Sequence, residues 1–161
     1  MIQVVAALRR GVCLRRSTTG CQPWVPGQCQ TTRVDDSYAD LAHDYEWLFP
    51  DEVIGGGGTV GATSPGSEDF LEGILETLPP GARVLDSACG IGADAMALAR
   101  RGFDVTASDG SASMVAEARR RCLRFGVQME ITQSTWQDLP ERVPGAFELI
   151  LCLGKIGRAH V

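Results

Sequence analysis

The sequence predicts an α/β domain with a three-layer parallel sheet, on three observations. Short apolar runs alternate with helix-like segments from residue 66 onward. A glycine turn follows the first of these runs. The chain has 161 residues with 44% hydrophobic content, enough for one domain with a real core. Strands that alternate with helices join through right-handed crossovers into a parallel sheet with helices on both faces.

Taken in order, "SEDFLEGILETL" places Ser67 as an N-cap and Phe70, Leu71, Ile74, Leu75 and Leu78 on one helical face. "PPG" stops this helix. "ARVLDSA" reads as a short buried strand. "ADAMALARR" reads as a helix closed by Gly102, and "FDVTASD" as a second strand. "ASMVAEARRRCLRF" is a second helix of the repeat, ended by Gly126. "VQMEITQ" is a third strand, "STWQDLP" a turn or single helical turn, and "FELILCLG" a fourth strand, apolar on both faces. No apolar run is long enough to cross a bilayer.

The N-terminal part differs in composition. Residues 1–33 contain five arginines, many hydroxyl residues and no acid. That suits a disordered or non-native leader, with an organelle transit peptide as the other reading. Residues 34–65 are expected to hold a leading helix and a glycine-rich loop. Asp36 or Ser37 can cap that helix, Leu41, Tyr45 and Leu48 share one face, and Pro50 ends it. The stretch "GGGGTVGATSPG", residues 55–66, lacks the Gly-Lys-Ser/Thr of a phosphate-binding loop and reads as a mobile connection.

Charge narrows the partners. All 20 acidic residues lie from Asp35 onward, while five of the 15 basic ones precede it, so the chain from Val34 carries 20 acids against 10 bases. Such a field repels nucleic acid and anionic lipid, which points to a small-molecule substrate. Six cysteines form no C-x-x-C pair, so no metal site is expected. Cys89 and Cys152 read as small buried residues of a reducing, cytoplasmic compartment.

The segment "VLDSACGIGADA" carries the functional signal. Gly90, Gly92 and Ala95 satisfy the G-x-G-x-x-A spacing of a nucleotide turn. Yet Asp86 precedes the turn and Asp94 follows it. A pyrophosphate there would face two like charges, a repulsion of a few kcal/mol (about 4 at 4 Å and intermediate dielectric). A cationic ligand without phosphate removes the conflict, and S-adenosyl-L-methionine, with its ammonium and sulfonium, has that character. Asp109 ends the second strand about 20 residues past the loop, where an acid can accept ribose hydroxyls. Met114 can pack on an adenine, with core packing as the equal alternative, and the Trp136 ring can cover the adenine's other side.

With those residues in view, "VLDSACGIGADAMALARRGFDVTASDGSASM" resembles motifs I and II of the class I S-adenosylmethionine-dependent methyltransferases. The pattern D-x-A-C-G-x-G-x-D, with "TW" after strand three and "LCLG" in strand four, is most similar to the glycine N-methyltransferase-like branch. The resemblance spans about residues 36–154. It implies a Rossmann-like sheet of seven strands, about four of them present, and direct methyl transfer from sulfur to a nucleophile such as a small amine. It also implies that Ala88, Gly90 and Gly92 line the methionine moiety and that Asp109 holds the ribose, with Asp86, Asp94 and Gly110 among the cofactor-binding residues. Thr135 and Trp136 would flank the adenine, Leu153 would lie under the cofactor, and Tyr38 would reach either the cofactor's carboxylate end or the methyl-transfer region. No general base is assigned, and His43 reads as a surface residue.

The domain expected at residues 66–154 is thus the cofactor-binding half of such an enzyme, truncated after its fourth strand and inactive by itself. The fourth strand should then expose an apolar edge. The ending "KIGRAHV", residues 155–161, departs from the family pattern, resembles a translated sequencing adapter, and reads as non-native. Two other functions compete: a nicotinamide (NAD)-dependent oxidoreductase, on the formal glycine spacing, and a non-catalytic binding fragment.

Overall fold

A computed structural model describes residues 4–8, 12–17, 20–22, 36, 38–44, 53, 55, 57, 58, 60, 61 and 68–153. Strands β1 (Val4–Leu8), β2 (Val12–Ser17) and β3 (Gly20–Gln22) come first. They are followed by α1 (Glu68–Leu75), β4 (Arg83–Asp86), α2 (Ala93–Arg100) and β5 (Asp104–Asp109). The last elements are α3 (Ala112–Phe125), β6 (Glu130–Gln133), the single turn α4 (Leu139–Arg142) and β7 (Leu149–Cys152).

The expected parallel sheet is present as β7-β4-β5-β6, with Val84 level with Val105 on one side and with Leu149 on the other. The chain runs outward through β4, β5 and β6, then returns to place β7 on the far side of β4. Strand order therefore reverses between β4 and β7, and a ligand crevice belongs at the carboxyl ends beside that point.

The elements form where local chemistry directs. Leu71 and Leu75 of α1 are buried, as are Met96 and Leu98 of α2, and they join Val84, Val105, Leu149 and Leu151 in one core. Ser111 caps α3 by accepting the amide of Met114, and Gly126 ends it in the left-handed region at φ 65°. β6 is three residues shorter than the apolar pattern suggests, starting at Glu130 rather than Val127.

Two expectations change. The composition of residues 1–33 suggested a leader without structure, but β1, β2 and β3 form an antiparallel run in the order β3-β2-β1. β1 then pairs antiparallel with β7, Val5 opposite Cys152 and Leu8 opposite Leu149. The edge of β7 expected to lie open is thus covered. The sheet has seven strands, four parallel and three antiparallel.

The leading helix also differs. Residues 38–43 are turns, with one helical bond from the Ala42 amide to the Tyr38 carbonyl. Leu41, expected on the apolar face, is 52% exposed, and the smaller Ala42 is buried instead, where it meets Ile91, Ala93 and Met114. Tyr45, Leu48, Ser67 and the tail 155–161 lie outside the described residues. Among the described residues no helix is long and apolar enough to cross a membrane, and no cluster of acidic, histidine or cysteine side chains could hold a metal.

Candidate functional site

The glycine turn joins β4 to α2 at the carboxyl end of the sheet, and the backbone of both neighbouring strands holds it. Ser87 donates its amide to Leu151 of β7 at 2.8 Å, and Cys89 donates to Ser108 of β5 at 3.0 Å. Gly90 and Gly92 have φ of 52° and 81°, which L side chains rarely adopt. Their surroundings differ. A side chain at Gly90 would meet nothing within 4 Å, so that face is open. One at Gly92 would meet the Ala118 side chain at 3.2 Å, so Gly92 lets α3 approach the turn closely. Of the two glycines expected to line a ligand, Gly90 has the open side and Gly92 faces α3.

Three carboxylates gather around this turn. Asp86, at the end of β4, is 1% exposed, and its Oδ1 is buried without a hydrogen-bond partner. Burial foremost, then the charges of Asp94 and Asp109, push its pKa well above the ordinary carboxylate range, against a hydrogen bond from the Ala88 amide. Asp94, in the first turn of α2, accepts the amide of Gly61 at 2.6 Å. Asp109 ends β5; its Oδ2 accepts the Gly90 amide at 2.8 Å and its Oδ1 accepts the Ser111 amide at 2.9 Å. A carboxylate has about four lone-pair sites, so two remain for ribose hydroxyls. Asp109 is buried and ties the turn to α3.

The contact of Asp94 with Gly61 shows what the glycine-rich segment does. Val60 is fully buried in the main core. At this point the stretch expected to be a mobile connection packs over the start of α2.

The remaining predicted residues lie around the carboxyl end. Trp136 donates its indole Nε1–H to the Ser87 carbonyl at 2.9 Å, tying the segment after β6 to the end of β4. Thr135 donates its hydroxyl to Asp138 at 2.8 Å. Gly110, Gln133, Ser134, Thr135, Asp138 and Arg142 line a polar cavity of about 170 Å³ beside Asp109. Tyr38 packs against the cluster of Ala42, Ile91, Ala93 and Met114. Met114 is enclosed in that cluster, and Leu153 lies in the main core.

Sequence reading missed Asp36, Gly61, Ser87 and Asp138. The Thr135-x-x-Asp138 spacing is a capping signal that could have found the last. The others act through partners far away in sequence. Among the described cysteines, burial and then Asp86 push the Cys152 thiol up to about 12, and burial foremost raises Cys89 well above its ordinary value. His43 is exposed.

A glycine turn at a sheet's switch point, a buried acid before it and an acid at the end of the next strand define an α/β domain with a candidate ligand crevice at the carboxyl end of its parallel strands. Comparison with known proteins narrows the class. The family described as "Methyltransferase domain" matches residues 84–160. A ubiquinone biosynthesis O-methyltransferase of Xanthomonas campestris pv. campestris (strain B100) is 40% identical over 74 residues, 46% of this chain and 31% of that one. A glycine/sarcosine N-methyltransferase of Parasynechococcus marenigrum (strain WH8102) is 39% identical over 87 residues, 53% of this chain and 30% of that one. A solved S-adenosylmethionine-dependent methyltransferase from Clostridium acetobutylicum ATCC 824 is 22% identical with a TM-score of 0.47, covering 68% of this chain and 41% of that one. Over residues 84–160 this chain is thus similar to methyltransferase domains. The chain spans about a third of the length of the curated relatives it matches.

Proposed function

We propose that this chain binds S-adenosyl-L-methionine and that the protein transfers the methyl group to a small-molecule acceptor, an amine such as glycine. The observation that carries the reading is the buried, unpartnered oxygen of Asp86 at the end of β4, the strand that leads into the glycine turn. A buried carboxylate oxygen with no donor is costly unless a donor or cation meets it.

The residues suit this cofactor. Asp86 offers its free oxygen to a cation, with Asp94 adding negative charge at the start of α2. Asp109 retains lone pairs for ribose hydroxyls. Gly110, Thr135 and Trp136 are placed for the adenine side, and the polar cavity there can take a heterocycle's edge. When bound, the cofactor supplies a methyl group activated on sulfur. The chain's own part is binding, orientation and exclusion of water. Alignment of nucleophile, carbon and sulfur can supply much of the rate, and a neutral amine needs no general base. The acidic surface from Val34 onward favours a small acceptor over nucleic acid. The amine reading rests on the resemblance to the glycine N-methyltransferase-like branch, and the N-methyltransferase relatives support it.

Calorimetric titration of the full chain with S-adenosylmethionine and with NAD decides the cofactor. Binding of the first, abolished in Asp86→Asn, supports the reading. Binding of NAD that tightens in Asp86→Asn would replace it with the oxidoreductase.

A further inference from the structure

The carboxylate of Asp36 is divided among donors at the start of α3. Its Oδ1 accepts the Ser111 hydroxyl at 2.6 Å and the Ser113 hydroxyl at 3.0 Å. Its Oδ2 accepts the Ser113 amide at 3.2 Å. These partners stand 75 and 77 residues away in sequence. Burial acts to raise the pKa of Asp36, but the hydrogen bonds from Ser111 and Ser113 outweigh it and leave the group ionised below the usual range. The negative charge also sits at the positive end of a 14-residue helix.

The contact continues into the nucleoside site. Ser111 donates its hydroxyl to Asp36 and its amide to Asp109, and Asp109 takes the amide of Gly90. A chain of hydrogen bonds therefore runs from the N-terminal segment to the open glycine. Just beyond Asp36, Tyr38 and Ala42 pack on Ile91 and Ala93, the residue inside the turn and the first residue of α2. The segment is closed over the turn and pinned at its start.

We propose that Asp36 is a positioning residue whose carboxylate clasps the segment that carries residues 38–42 to the start of α3, holds Tyr38 and Ala42 over the glycine turn, and slows release of the bound nucleoside cofactor. The ligand part of this statement rests on the function proposed above; the clasp does not. Ser111 and Ser113 are its other half.

The test reads the clasp with and without ligand, on the full chain. Amide exchange is followed at Ala39, Leu41 and Ala42, whose amides donate to the Asp36 and Tyr38 carbonyls. The amides of Val84 and Val105 serve as core controls. In parallel, the dissociation rate of S-adenosylhomocysteine is measured by stopped flow. In Asp36→Asn, exchange at the three amides and the release rate should each rise about tenfold, the worth of one hydrogen bond to a charged group. The core amides should not change. Asp36→Glu, which keeps the charge, should recover part of both effects, whereas Asp36→Ala should not. Unchanged exchange at Ala39–Ala42 in Asp36→Asn overturns the clasp. Faster exchange with an unchanged release rate overturns its role in retention. A wild-type chain that binds no S-adenosylhomocysteine defeats the proposed function, and the exchange result still decides the clasp.

Discussion

The carboxylate of Asp109 and the amide of Gly90, 19 residues apart, are joined at 2.8 Å, so the acid expected to hold a ribose also shapes the turn beneath it. Its second oxygen takes the Ser111 amide at the start of α3. Removing this carboxylate therefore acts on the fold as well as on the ligand. Asp109→Ala should lower stability by about 2–3 kcal/mol, since it deprives two amides of their acceptor. It should also weaken S-adenosylmethionine binding at least tenfold. Urea denaturation and calorimetry check the two effects.

Asp86 makes ligand affinity depend on pH. Its pKa in the folded chain is raised, so the folded state retains a proton that the unfolded state has lost. The stability this group contributes is greatest below the ordinary carboxylate value of 3.8, falls as pH rises toward the raised value, and is level above it. A cationic ligand favours the ionised form. Affinity should thus increase with pH through the same window, and binding below the raised pKa should release a proton. Titration in buffers of different ionisation enthalpy detects that proton. Asp86→Asn should abolish both the release and the pH dependence.

The two glycines of the turn should respond differently to the same change. Gly90→Ala meets only the positive-φ penalty, about 1–2 kcal/mol, because the space beside it is open. Gly92→Ala meets that penalty and the Ala118 side chain at 3.2 Å, which adds about 1–3 kcal/mol of overpacking. Thermal unfolding should rank Gly92→Ala as the less stable. Ligand titration should rank Gly90→Ala as the greater loss of affinity per unit of stability lost.

A buried ion pair in α3 gives a prediction away from the site. Arg121 is fully buried, and its Nε donates to Glu117 Oε1 at 2.8 Å; Arg120 donates to the same carboxylate. Burial works to raise the pKa of Glu117, but the Arg120 hydrogen bond and the charges of Arg121 and Arg120 outweigh it and lower the pKa. The stability this group contributes is present above the ordinary value of 4.5 and is lost as pH falls from there through the lowered value. Glu117→Gln should cost about 1.5–3 kcal/mol at neutral pH, because it removes a charged acceptor from the buried Arg121 guanidinium. It should also flatten the acid limb of the stability profile, as followed by denaturation from pH 7 to 3.

What could be read in advance has a common feature: its cause is local. α3 was legible to both ends, since Ser111 caps it and Gly126 stops it. β4, β5 and β7 were legible as apolar runs bounded by turns, and the glycine spacing with Asp86 and Asp109 was legible as a site. The N-terminal strands were not. Composition drew attention to the arginines, and β1 finds its partner in β7, some 140 residues later.

By itself, the sequence determined the alternation of strands and helices, the turn at Gly90 and Gly92, and the acids Asp86 and Asp109 at the ends of the strands on either side of it. Only the tertiary structure decided that β1 would cover the edge of β7, that Leu41 would face outward while Ala42 packed inward, and that Asp36 would clasp α3. Only there, too, did Asp109 become part of the turn rather than a group beside it. The physical reason is range. Periodicity, caps and left-handed glycines act within a few residues, whereas a hydrogen bond between Asp36 and Ser113, or between Trp136 and Ser87, exists only once the strands that carry them have settled into register.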